Sequence, residues 1–183
     1  MELLRPGVLA DLRLVLAAPV AGAGAFGAGV GERASALGAV VEPLAVDPTG
    51  EEPAGVERAD VLVWDGDAAL AGAAGVDGVR AVLDGAWLAI RPVANRAWIE
   101  AGGTGGGRIL LLAPRPASAH AEAARAGLEN LARTLSVEWA RFGIRPVALL
   151  PGADTAAGEV AELAAYLASP AGAYYSGCAF TLR

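Results

Sequence analysis

The sequence predicts an α/β protein: a doubly wound, parallel β-sheet flanked by helices. Three observations predict it. Short apolar runs of strand length alternate with segments of helical period along the chain. The first run, Leu12–Ala18, ends in a glycine-rich stretch that opens a helix and leads to a second run near Val40–Val46. Strand, glycine turn, helix, strand is the opening of a dinucleotide-binding fold. The third is Ala121–Gly152, which reads as a long amphipathic helix, a tight glycine turn, a buried strand and a Pro-Gly exit.

The chain has 183 residues, enough for one domain, 1–183, with a sizeable core. No run is long and apolar enough to span a bilayer, because Leu12–Val30 is mostly Ala and Gly. The MELLRPG start has no signal-peptide layout. One cysteine, Cys178, permits no internal disulfide, so a reducing cytoplasm is expected. A net charge of −6 without a basic stripe argues against nucleic acid. All 14 basic residues are arginine, so no lysine chemistry exists in this chain.

In order, Leu12–Ala18 is a buried strand. Gly22, Gly24 and Gly27 then complete a literal G-x-G-x-x-G, with a helix to about Leu37 and a stop at Gly38. Five glycines between 22 and 31 weaken that helix. Val40–Val46 is the second strand, with Glu42 or Asp47 as a candidate ribose-binding acid. Asp47–Arg58 is polar and loop-like, and Ala59–Trp64 is a further buried strand. Val76–Ala101 reads as a long helix kinked at Pro92. Gly102–Gly107 is a flexible turn and Arg108–Ala113 a strand. On the helix from Ala121, Leu128, Leu131, Leu135 and Trp139 form an apolar stripe. Arg125, Glu129 and Arg133 stand four apart and are expected to pair in series. Gly143 suits a left-handed helix end. A helix over Glu159–Ser169 and a strand over Ser176–Leu182 close the series, in which Cys178 is expected to be a small buried hydrophobe.

The stretch Ala121-Glu-Ala-Ala-Arg125-Ala-Gly-Leu-Glu-Asn-Leu, with Glu138-Trp-Ala-Arg, Gly143-Ile-Arg and Pro151-Gly152, resembles the short-chain dehydrogenase/reductase family, 3-oxoacyl-carrier-protein reductase-like members in particular. The resemblance implies a Rossmann-like sheet, trimmed relative to a full member. It also implies that the chemistry is missing. The family's Tyr and Lys positions are Ala121 and Arg125. Its Asn-Asn-Ala-Gly begins here as Trp64-Asp65-Gly66, its proton-relay Asn is Val82, and its Ser-Ser is Ala113-Pro114. In the cofactor loop its first Gly is Ala18, followed by Pro19, which offers no N–H. Gly22 and Gly24 are then vestigial cofactor-loop positions. Thr155 is kept, but the helical lid that follows it in the family is essentially deleted.

The family's mechanism needs a Tyr acid/base with a Lys beside it, a Ser and an Asn-held water. Here no Tyr precedes Tyr166, and Arg125 cannot titrate. His120, the single histidine, is the candidate substitute acid/base, with a surface residue as the plainer reading. No catalytic residue, metal or cofactor is therefore expected in this chain. The resemblance implies a catalytically inactive subunit that assembles with an active NAD(P)-dependent dehydrogenase subunit, or with a second copy of itself. The surfaces would be helices 76–101 and 121–142, which pair across a two-fold in the family. A diverged but active NAD(P)-dependent oxidoreductase and a nucleotide sensor without turnover stay open as alternatives.

Overall fold

A computed structural model describes residues 4–54, 56–100 and 106–183. Residues 1–3, at the start read for a signal layout, lie outside the described residues. So do 101–105, which hold the end of the expected second helix and most of the expected glycine turn.

Six strands form one sheet, all pairs parallel. They are β1 (Arg13–Pro19), β2 (Val40–Val46), β3 (Val61–Asp65), β4 (Gly107–Leu112), β5 (Ile144–Leu150) and β6 (Cys178–Thr181). The spatial order is β2-β1-β3-β4-β5-β6. The chain therefore winds one way from β1 to β2 and the other way from β3 onward. A single strand lies outboard of β1, where a full doubly wound sheet has two. The described residues between β2 and β3 form no strand.

Alternation along each strand builds two cores. Val61, Val63, Leu110, Leu112, Val147 and Leu149 face one side. Helices α1 (Ala25–Ala36) and α5 (Ala157–Ala168) cover them, packed on each other. Leu62, Trp64, Ile109, Leu111, Ala148 and Leu150 face the other side, under α3 (Gly75–Val93) and α4 (Ala119–Glu138). Burial on both faces is why these strands read as continuous apolar runs rather than as alternating ones.

Pro92 has no N–H for the helical ladder, and within two residues α3 passes into a π-helical segment, Ala94–Ile99. That segment seats Trp98, whose Nε1 donates to the Ala59 carbonyl at 2.6 Å. After α4 a single 3-10 turn, Ala140–Phe142, ends on Gly143 at φ +69°, the left-handed end expected there. A short helix not anticipated from the sequence, α2 (Gly66–Ala71), follows β3 at once.

Two side chains, Arg125 and Cys178, depart from expectation. The Arg125–Glu129–Arg133 series is half formed: Arg133 pairs with Glu129 at 2.5 Å, while Arg125 turns away. Cys178 is half-buried on the edge strand, with its Sγ 3.5 Å from the Ser176 carbonyl, because β6 has a neighbour on one side only. On α4, Leu128 and Leu135 are core, whereas Leu131 and Trp139 are only partly covered.

Candidate functional site

In an open parallel sheet the functional crevice lies beyond the carboxyl ends of the strands where the winding reverses. Here that point is between β1 and β3. Its walls are the turn after β1, the start of α1, and the last residue of β3, Asp65.

Gly22 in this turn has φ +104°, a conformation that only glycine adopts without strain. Gly24 is the N-cap of α1 and has no side chain to accept the helix's free N–H groups. Asp65 accepts them instead. Its Oδ2 takes the Gly24 N–H at 2.8 Å and the Gly27 N–H at 3.1 Å. Its Oδ1 takes the Ala68 N–H at 3.1 Å and so caps α2 as well. Burial pushes the Asp65 carboxyl above the usual range, and the three amide bonds pull against that shift. Asp67, two residues along, adds to the upward push.

Asp67 is itself bound. It accepts from the Arg115 backbone N–H at 3.1 Å and pairs with the Arg115 guanidinium at 3.4 Å. That guanidinium lies over the Phe26 ring, 4.0 Å from its centroid, and also reaches the Thr155 carbonyl. Thr155 is buried, and its Oγ1 accepts the Gly152 N–H at 2.7 Å, which fixes the Pro-Gly exit of β5.

The candidate ribose acids are engaged elsewhere. Glu42 pairs with Arg13 at 2.6 Å. Asp47 bends back onto the Thr49 backbone N–H and hydroxyl, at 2.9 and 2.8 Å, and these bonds hold its carboxyl below the usual range. Asp47 also lines an open groove of about 880 Å³ between the ends of β1 and β2 and the start of α3. Pro19, Val20 and Ala69 give this groove apolar walls, and Asp77, Asp84 and Arg80 join Asp47 as its charged ones.

At the positions where the resemblance places acid–base chemistry, Val82, Ala113 and Ala121 are fully buried. Trp64 fills the space at the foot of α3, with its Nε1 donating to the Val82 carbonyl at 3.1 Å. Gly85 makes that possible, since a Cβ there would meet the indole ring at 2.6 Å. Arg125 sends Nη1 to the carbonyls of Pro114 and Pro151, at 2.6 and 2.7 Å, and Nε toward Glu122 at 3.5 Å. The guanidinium therefore ties the end of β4 to the end of β5. His120 is exposed on the first turn of α4. Among the described residues no group of three His, Cys, Asp or Glu side chains could hold a metal ion. Among them, too, no helix is long and apolar enough to cross a membrane.

The residues at the turn do not fit a nucleotide phosphate. The amides of Gly24 and Gly27 already hold a carboxylate, and Pro19 offers no donor.

No protein-family model matches this chain, and no curated protein matches it. Solved structures do. A citronellol catabolism dehydrogenase from Pseudomonas aeruginosa PAO1 superposes with a TM-score of 0.77 at 24% identity, covering 99% of this chain and 97% of that one. The chain has the short-chain dehydrogenase fold. A short chain dehydrogenase from Mycobacterium smegmatis gives 0.77 at 21% identity, over 100% and 96% of the two chains. A gluconate 5-dehydrogenase from Burkholderia cenocepacia J2315, solved with NADP and tartrate, gives 0.74 at 18%, over 94% of each. At these identities the likeness carries the fold and leaves the chemistry to the residues of this chain.

Proposed function

We propose that this chain is a non-catalytic subunit of the short-chain dehydrogenase fold, assembling through α3 and α4 with an active dehydrogenase subunit or with a second copy of itself. One observation carries the reading. Where a dehydrogenase of this fold would hold its titratable groups, Val82, Ala113 and Ala121 are packed in the core, and the one cation, Arg125, is spent on two backbone carbonyls. A guanidinium has donors and no acceptor, and these donors are engaged by the backbone.

The two long helices support the assembly half of the reading. Gly127 lets α4 approach α3 closely, since a Cβ there would meet Leu83 at 2.7 Å. Trp87 of α3 stacks on Trp139 at the end of α4, with ring centroids 6.1 Å apart, and remains 39% exposed. Val76 and Val137 of the same pair of helices are 66% and 77% exposed. Large apolar side chains left in water on two adjacent helices favour burial against a partner. Localisation in a reducing cytoplasm belongs to the same proposal.

The competing reading is a diverged NAD(P)-dependent oxidoreductase acting on a carbonyl or hydroxyl substrate. The groove beside the turn is the feature that favours it. Co-expression with dehydrogenases encoded beside this gene, followed by size-exclusion chromatography with mass analysis, tests the assembly. A stable complex or dimer that dissociates on Trp87→Glu is expected. A chain that stays monomeric in every combination overturns it. NAD(P)-dependent turnover by the purified chain, lost in Arg125→Ala or His120→Ala, overturns the non-catalytic reading.

A further inference from the structure

The glycine-rich turn raises a question of charge. A helix N-terminus carries free N–H groups and a partial positive charge, and it favours an anion there. The first turn of α1 contains no acidic residue, and its N-cap is a glycine. An isolated helix of this sequence would leave those donors to water or to a ligand. In the folded chain a side chain from 41 residues away satisfies two of them.

Asp65 is fully buried. Three N–H groups converge on its two oxygens, two from α1 and one from α2. These three donors favour the ionised carboxylate, against the burial that disfavours it. One glycine is required by this contact: a Cβ on Gly27 would overlap Asp65 Oδ2, whereas one on Gly24 would stand in ordinary contact with it at 3.5 Å. The third glycine of G-x-G-x-x-G thus admits a carboxylate of the chain itself.

We propose that Asp65 is the resident anion of this turn: it occupies the N-terminus of α1 at the winding reversal of the sheet and closes that helix end to phosphate-bearing ligands. A phosphate arriving there would stand beside a buried negative charge of like sign. To reach the amides it would have to displace a group already holding two of them and capping a second helix. Arg115 gives no relief, because Asp67 and the Thr155 carbonyl already bind its guanidinium. The inference goes beyond the assembly reading and is independent of it.

The test uses inorganic phosphate and ADP as probes on the whole chain, by calorimetry. The wild-type protein is expected to give no saturable heat with either. Asp65→Asn keeps an acceptor for the α1 amides and removes the charge, so it is expected to bind ADP at least about tenfold more tightly than wild type. Saturable binding by wild type, or a folded Asp65→Asn variant with no gain, overturns the proposal. A second measurement needs no variant. The Gly24 and Gly27 amide resonances of the wild-type protein are followed as phosphate is added. Resonances that stay in place support the resident anion, and saturable shifts at both overturn it. An ADP-binding wild-type chain that still forms the complex sinks this proposal alone. A monomeric chain whose Gly24 and Gly27 resonances ignore phosphate sinks only the assembly.

Discussion

Replacing Arg125 by Met separates a structural guanidinium from a catalytic one. Its side chain is only 11% exposed, and Nη1 donates to the carbonyls of Pro114 and Pro151, both buried residues. Met keeps most of the stem and removes the head. Each buried carbonyl that loses its donor costs about 1–3 kcal/mol, so the pair costs about 2–6 kcal/mol if water does not enter. The exposed contact to Glu122 adds little. For a domain of this size each kcal/mol shifts the midpoint by about 2–4 °C, which gives a loss of about 4–24 °C. Urea unfolding followed by Trp fluorescence measures it, with the slope m required to stay constant. Arg125→Lys should recover part of the loss, since an ammonium can reach one of the two carbonyls. A loss below about 0.5 kcal/mol for Arg125→Met would refute the clamp, because that is the range of an ordinary surface substitution.

Further expectations follow from the same contacts. Gly27→Ala places a methyl on Asp65 Oδ2 and should cost about 1–3 kcal/mol; in an Asp65→Ala background the cost should shrink, a coupling that a double-mutant cycle reads directly. Gly107→Ala drives a Cβ into the Trp98 ring and should destabilise by a similar or larger amount, seen as a lower urea midpoint. The Asp65 carboxyl is raised in the folded state, mainly by burial. Its contribution to stability is therefore fully present below the ordinary Asp value and is lost as pH rises through the raised one. Asp65→Asn should flatten that part of the stability-against-pH curve, and an unchanged slope would count against the buried charge.

The inner strands β3, β4 and β5 were legible because they are buried on both faces and so read as apolar runs at the right length. The long helices were legible from the Leu128–Leu135 stripe, from Pro92 and from the Gly143 stop, all of them local signals. α2 was not, because Gly66–Ala71 is too short to show a period. Its signal is the Asp65 cap, an Asp three residues before the N–H it holds. Asp65 was read only as a replaced Asn, since nothing in a strand end announces a bond to a turn 41 residues away. Arg125 was assigned to its helical neighbour Glu129, the partner that spacing offers. The carbonyls that win it, on Pro114 and Pro151, are brought together only when β4 and β5 pair. The resemblance assigned the family's acid–base positions to Val82, Ala113 and Ala121, and what packs around them was not legible: Trp64 reaches Val82 only once α3 lies on the sheet.

The most direct measurement is a titration of the purified wild-type chain with NADH and NADPH, read by calorimetry and by fluorescence of its four tryptophans. Packed apolar side chains at the acid–base positions and a carboxylate on the turn predict no saturable response to either dinucleotide. Tight, stoichiometric binding of one of them, followed by hydride transfer to any carbonyl substrate, would contradict both the closed turn and the non-catalytic subunit.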